Sequence, residues 1–336
     1  MTALYDARGN IYLVTSPSAL RTLGIDIPQD AALAAATRTD WTTQAVSALC
    51  QWPQGEKPEH AKAHRCDGLL VGPFQEAGPF DLLIVNTDGT LAERSGNGLT
   101  IFSQALTDSG RIDSTSPFVL KVHHDHVSSL SPVATTVTPD TLQTLHGFWL
   151  DLGKPAFGPH AVQATASGLI AKADDDVRFS SVKPLIALDP RWCQSIFVRI
   201  GNPHCVTLVS EAEALPGFRQ LHEQPLNAAL TRIAFAKGDH GNGEPCASGV
   251  NLQWAAVSAS NTLIARVFER GEGPTASSGT SASAVAAAAW LAGRVSSGSV
   301  DVVMPGGTAP VRLIEQAGDL VQVLLFGTAY RSDKDC

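Results

Sequence analysis

Positive charge is scarce in this chain. Lys and Arg number 24 against 32 Asp and Glu, a formal net charge of −8, which argues against nucleic acid or an anionic membrane surface as the main partner. No uncharged apolar run approaches the ~20 residues that a membrane-crossing helix needs, so no membrane partner is expected. The opening MTALYDARGNIYLV lacks a basic segment followed by an apolar run, so no export signal is expected and the reading is a cytoplasmic protein. The cysteines (Cys50, Cys66, Cys193, Cys205, Cys246, Cys336) show no C-x-x-C spacing, which fits free thiols in a reducing compartment. Cys66 lies near His60 and His64, but no zinc site is expected there. No metal-ligand cluster and no phosphate-binding glycine motif points to a cofactor. What the chain does have is 336 residues, 44% of them hydrophobic and 17% charged. That is enough for two ordinary globular domains.

Short apolar runs bounded by Gly, Pro, Asp or Asn recur along the chain, among them IYLVTS, GLLVG, FDLLIVN, SIFVRIG, LIARVFER and VQVLLFG, and read as strands. Helix patterns are fewer: PSALRTLG, DAALAAATRTDWTTQAVSAL, NGLTIFSQALTDSG, PLNAAL and SGTSASAVAAAAWLAGRV. Many strands and few helices without strict alternation predict an α+β fold. A sequence of strand, Gly-rich turn, helix, strand and Gly/Pro corner runs twice, once around LLIVNTDGTLAERSGNGLTIFSQAL and once around LIARVFERGEGPTASSGTSASAVAAAAWL. The polar, Gly/Pro-rich stretches 51–65 and 237–249 read as surface insertions, with a lid as the alternative for the second.

Four places can carry chemistry. In SGNG, Ser95, Gly96, Asn97 and Gly98 precede an apolar helix, and SSGTSASA at 277–284 repeats the pattern. Unsatisfied amides at a helix start bind a carboxylate well and stabilise an enolate-like charge. Ordinary helix capping explains either stretch alone; finding both in a repeated context favours a site. In IGNPH, His204 follows a strand at a Pro-stiffened turn, where it is either structural or an acid, base or orienting group. Glu269 and Arg270 stand at a strand end before a glycine turn, as a surface ion pair or as substrate contacts.

Taken together, YDARGNIYLV, NTDGTLAERSGNG, GNPH, ERGEGPTASSGTSASA, MPGG and LVQVLLFGTAYR resemble, in order, segments of the diaminopimelate epimerase family. The resemblance implies two pseudo-symmetric α+β domains, residues 1–148 plus about 320–332 and residues 149–319, with an interdomain active-site cleft. It implies a cytoplasmic, cofactor-independent enzyme of amino-acid metabolism, in that family lysine biosynthesis, and a possible homodimer. In the family one cysteine removes an α-proton and another returns one on the opposite face. By position those cysteines fall on Ser95 and Ser278, supporting acid/base groups on His204 and Glu269, and substrate contacts on Asn10, Asn86, Asn202 and Arg270. The carboxylate-binding amides fall around Gly96, Asn97, Gly279 and Thr280.

The departures are as informative. A thiol titrates near ~8.5 and is easily tuned, whereas a serine alkoxide is scarce unless a neighbouring base takes the proton. Thr100 stands where the family usually has arginine and Ser281 where it usually has glycine. Arg232 falls near an expected substrate-binding asparagine. There it would favour a distal carboxylate through a bidentate pair; with a slipped alignment it faces solvent. The expected activity is isomerisation at the carbon next to a carboxylate of a small-molecule substrate. A lyase, dehydratase or tautomerase on the same scaffold and a non-catalytic carboxylate binder are the alternatives.

Overall fold

The computed structural model describes residues 2–332 apart from 60, 114, 127–129, 171–178 and 239. His60 and Cys336, named above, lie outside the described residues. The chain divides into two compact units, Met1–Leu150 with Phe326–Cys336, and Asp151–Leu325.

In the first unit β1 (Thr2–Ala7) and β2 (Asn10–Thr15) form an antiparallel hairpin. Helices α1 (Pro17–Thr22), α2 (Ala31–Ala36) and α3 (Thr42–Leu49) then cross over to β3 (Gly68–Val71), which lies parallel to β2. β4 (Phe80–Asn86) returns antiparallel to β3, and α4 (Gly96–Asp108) crosses to β5 (Phe118–His123), parallel to β4. β6 (Val133–Leu142) and β7 (Leu145–Asp151) complete an antiparallel meander. Alternate strand residues face opposite sides. Leu13, Leu69, Leu83 and Val85 pack with Leu20, Trp41 and Val46 of the α1–α3 side, while a side chain at Gly98 of α4 would meet Leu70. Both faces are therefore covered, which is why FDLLIVN is a nearly unbroken apolar run.

The second unit starts with the short strands β8 (Ala156–Phe157), β9 (Leu169–Ile170) and β10 (Ser181–Val182) and the helix α5 (Lys183–Leu188). It then repeats the topology of the first. β11 (Ser195–Ile200) and β12 (Asn202–Leu208) form a hairpin. α6 (Phe218–His222) and α7 (Leu226–Ala234) cross over to β13 (Asn251–Ala259), parallel to β12. β14 (Thr262–Glu269) returns antiparallel and is flanked by β15 (Gly273–Thr275). α8 (Gly279–Leu291) leads to β16 (Gly298–Met304), parallel to β14, and then β17 (Gly307–Gln316) and β18 (Asp319–Gly327). The last strand, β19 (Tyr330–Arg331), belongs to the first unit, where it pairs with β1. Phe197, Leu252, Trp254 and Phe268 pack with Leu221, Leu230 and Ile233 on the α6–α7 side. α8 covers the other face; from Gly279 to Ala289 it is buried all round, as its Ala/Ser composition permits.

The repeat is longer than the strand–turn–helix–strand unit read from sequence, because it includes the hairpin and the crossover of short helices before it. DAALAAATRTDWTTQAVSAL is also not one helix. It breaks between α2 and α3, where Trp41 turns back and its indole donates to the Ala34 carbonyl at 2.9 Å. Burying that ring outweighs the continuation of helical periodicity.

Candidate active site

Ser95 and Ser278 hold equivalent places. Each has extended backbone and is the N-cap of the long helix in its unit, Ser95 of α4 and Ser278 of α8. Ser95 stands nine residues beyond Asn86, the last residue of β4, and Ser278 nine residues beyond Glu269, the last residue of β14, with the short β15 between. By helix geometry the first N–H groups after each cap, those of Gly96 and Asn97 or of Gly279 and Thr280, have no acceptor within the helix and carry the positive end of its dipole.

The second unit brings most of the expected residues together. Ser278, 6% exposed, donates its hydroxyl proton to Glu269 Oε1 at 2.7 Å and accepts from the Ser281 N–H at 3.4 Å. Burial pushes the Glu269 carboxyl up to about 7, helped by the nearby charge of Glu272 and opposed by the Ser278 hydrogen bond. The carboxyl thus changes protonation near neutrality, in contact with a serine at a helix start. His204 and Asn202 lie two residues apart on β12, on the same strand face. His204 is fully buried and its Nδ1 accepts from the Gln253 amide at 3.0 Å. Burial pushes its pKa down to about 3, with the Arg270 charge acting in the same direction, so the ring is neutral under ordinary conditions. The Arg270 N–H donates to Asn251 Oδ1 at 2.8 Å and its guanidinium to the Ser248 carbonyl at 3.1 Å.

In the first unit the corresponding groups have other partners. Ser95 Oγ accepts from the Gly98 N–H at 3.0 Å. Asn86 donates to the Thr90 hydroxyl at 2.9 Å, and Asn10 donates to Asp67 Oδ2 at 2.9 Å. Asn97 is buried at the head of α4. Thr100 donates to the Gly96 carbonyl at 2.9 Å.

Two residues of the group escaped the sequence reading. Asn251 begins β13 directly across from His204 in the parallel register, is 3% exposed and positions the Arg270 backbone. Gln253, two residues on, joins His204 to the Ser281 hydroxyl, donating to each at 3.0 Å. The signal for both was polar residues inside an apolar strand, NLQW, on one face. Arg232 does not join this group: it is exposed in the last turn of α7, where its carbonyl accepts from the Asn242 N–H at 2.9 Å. Among the described residues no group of three or more His, Cys, Asp or Glu is placed to hold a metal ion. No helix of the described residues is long and apolar enough to cross a membrane.

Two compact α+β units with matching helix-start serines define a two-domain fold shared with racemases and epimerases. A probable proline racemase from Agrobacterium radiobacter superposes with a TM-score of 0.58 at 14% identity, over 98% of this chain and 90% of that one. A hydroxyproline epimerase from Agrobacterium vitis gives 0.57 at 16%, over 98% and 90%. A family profile described as diaminopimelate epimerase matches residues 196–330. The chain is 30% identical over 251 residues to diaminopimelate epimerase 2 of Nostoc sp., covering 74% of each. It is 31% identical over 248 residues to a diaminopimelate epimerase of Burkholderia vietnamiensis, covering 73% of this chain and 74% of that one. The chain belongs to the diaminopimelate epimerase family, and its activity class is isomerisation of the epimerase type.

Proposed function

We propose that the protein is a cofactor-independent isomerase of a small amino acid, working in the cytoplasm, with Ser278 and Glu269 as its proton relay. The observation that carries this reading is the 2.7 Å hydrogen bond from Ser278 to a carboxyl that titrates at about 7, at the start of α8. A serine hydroxyl is a poor base unless another group accepts its proton, and Glu269 is placed to do so. As the Ser278 oxygen takes the α-proton, the Ser278 proton passes to the Glu269 carboxylate. The Cα–H electron pair moves into the substrate carboxylate, whose charge the Gly279 and Thr280 amides stabilise. Ser95 supplies a proton to the opposite face of the carbon and recovers one from solvent, and the Gly96 and Asn97 amides serve the same carboxylate. His204, neutral and buried, positions rather than exchanges protons. Asn10, Asn86, Asn202, Asn251 and Arg270 contact the substrate, and a homodimer is the expected assembly.

A second reading follows from Asn86. The first unit has a neutral amide where the second has Glu269, so among the described residues of its own unit Ser95 has no carboxyl placed as Glu269 is behind Ser278. One base suffices for a proton shift to another atom or for elimination. The test is proton NMR in deuterium oxide with diaminopimelate and proline as probe amino acids. Deuterium at the α-carbon with inversion supports epimerisation. Exchange with retention, or an unsaturated or rearranged product, favours the one-base reading. Absence of exchange with a broad amino-acid panel overturns both.

A further inference from the structure

Cys50 and Cys66 flank the polar insertion 51–65 and play no part in the chemistry above. Cys50 caps the end of α3, and Cys66 stands two residues before the first residue of β3. The chain closes on itself here: the Arg65 N–H donates to the Cys50 carbonyl at 2.9 Å, and the Arg65 guanidinium donates to the Leu49 carbonyl at 3.0 Å. Both sulfurs lie in the same core cluster, with the two thiols within hydrogen-bonding range of each other. They are unequal. Contact with Cys50 and the Gly68 N–H lowers the Cys66 pKa against the opposing effect of its burial, whereas the same contact and burial both raise that of Cys50. One is the better thiolate and the other the resolving thiol. The insertion between them is mostly exposed and carries no helix or strand among its described residues.

From this juxtaposition we infer that Cys50 and Cys66 form a thiol–disulfide site that reversibly staples the base of the 51–65 insertion. The oxidant is a low-molecular-weight disulfide. The Cys66 thiolate attacks one of its sulfurs, forming a mixed disulfide and expelling a thiolate. That thiolate takes the Cys50 proton, and the Cys50 sulfur then attacks Cys66 and expels the second thiolate. Two protein thiols become one disulfide while the small disulfide is reduced to two thiols. Opening of the insertion admits the oxidant, so the reaction is slower than at an exposed thiol.

The staple is wired to Asn10. Asp67, next to Cys66, accepts from Asn10 Nδ2 at 2.9 Å and from the Ile11 N–H at 2.8 Å, and Lys62 of the insertion pairs with its other oxygen at 2.6 Å. Fixing Cys66 fixes Asp67 and, through it, the start of β2. On the proposed reading of Asn10 as a substrate contact, the redox state thereby reaches the site.

The full-length protein is incubated with oxidised glutathione, remaining thiols are alkylated after denaturation, and peptides are mapped by mass spectrometry. A dithiothreitol-reversible cross-link between the Cys50 and Cys66 peptides, two hydrogens lighter than the thiols, is expected. Exposed Cys193 should carry a glutathione adduct, which shows that the oxidant acted. In Cys50→Ser or, if that variant does not fold, Cys50→Ala, the adduct should remain on Cys66. Free, alkylated Cys50 and Cys66 beside a modified Cys193 would overturn the proposal. Amide hydrogen exchange at Ile11 should slow at least threefold on oxidation, and an unchanged rate would overturn the link to Asn10. Neither readout requires turnover, so both hold even if the assigned activity fails.

Discussion

At the end of β4 the chain carries Asn86 and, nine residues on, Ser95; at the end of β14 it carries Glu269 and, nine residues on, Ser278. The topology around both corners is the same, and so is the role of each serine as an N-cap. The difference lies in what stands behind the hydroxyl. Ser278 gives its proton to a carboxyl held near neutrality, whereas the hydrogen bond made by Ser95 is from the Gly98 amide and leaves its oxygen the acceptor. A duplicated scaffold thus repeats the helix-start serine, while a buried carboxyl stands behind the hydroxyl in the second unit. Fold symmetry and chemical symmetry are separate properties, and a proton transfer with direction needs only the first.

The largest effect should come from removing that base. Glu269→Gln keeps a hydrogen-bonding partner for Ser278 but cannot take its proton, so α-proton exchange should fall roughly 10²–10⁴-fold. Exchange by the parent protein should rise with pH through an inflection near 7, set by the buried carboxyl, and the inflection should vanish in the variant. A parent profile flat from pH 5 to 9 would remove Glu269 from the relay. Ser278→Ala should cost nearly as much as Glu269→Gln. Ser95→Ala should cost less in exchange and about 1 kcal/mol in stability from the lost cap. Equal losses at the two serines would break the comparison. The Ser95→Cys, Ser278→Cys double variant sharpens it. Thiols at helix starts ionise readily, so exchange of at least one amino acid should exceed that of the parent if both hydroxyls occupy proton-transfer positions.

A structural counterpart sits five residues into each helix. Thr100 in α4 and Ser283 in α8 both turn their hydroxyls back to the first-turn carbonyl, at 2.9 and 3.0 Å. In the first unit the bulkier residue leaves no room beside it: a Cβ at Gly327 would lie 2.1 Å from Thr100 Oγ1. Gly327→Ala should therefore destabilise by about 2 kcal/mol in denaturant titration, as overpacking does. Thr100→Ala in the same chain should recover part of that loss. A neutral Gly327→Ala would show that α4 is loosely seated.

How much of this was legible in the sequence depends on the range of the interaction. The serine caps were visible because a cap is local: a small polar residue before glycine and an apolar helix. FDLLIVN and SIFVRIG read as strands on composition alone. Asn251 and Gln253 were not found, because their partners are distant in sequence and adjacent only through the β12–β13 register. The break before Trp41 was hidden for the opposite reason. The local helical pattern is good, and tertiary burial of the indole overrides it. The contact between Glu269 and Ser278 was half legible: both residues stood out, but their hydrogen bond and the resulting pKa needed the folded turn between them.

Two buried titratable groups of the second unit, His204 and Glu269, pull stability in opposite directions with pH. His204 has a folded pKa of about 3, below its ordinary 6.5, so the unfolded chain binds the extra proton, and stability is lost as pH falls through that window. Glu269 has a folded pKa of about 7, above its ordinary 4.5. There the folded chain keeps the extra proton, and stability falls as pH rises from 4.5 to 7. Urea unfolding from pH 4 to 8 should give a shallow dependence between 4.5 and 6.5, where the two oppose. In Glu269→Gln only the histidine contribution remains, so stability should climb with pH across the same range. An unchanged profile in the variant would place the Glu269 carboxyl in ordinary solvent.

The smallest expected effect belongs to Arg232. Read from sequence, it was a candidate for binding a distal carboxylate. In the structure it is exposed on the last turn of α7, while Asn251 occupies the place beside His204 and Arg270. Arg232→Ala removes an exposed charge, so stability should change by no more than about 0.5 kcal/mol. The KM for a probe with one carboxylate, such as proline, should not move. A dicarboxylic amino acid is the discriminating probe, because only a second carboxylate can use the guanidinium bidentately. A KM that rises more than about tenfold for diaminopimelate but not for proline would place α7 over the substrate. It would also give the second unit a specificity group in addition to its base. A KM that Arg232→Ala leaves unchanged for each of the two probes would leave Arg232 in solvent and Asn251 as the polar contact on that side.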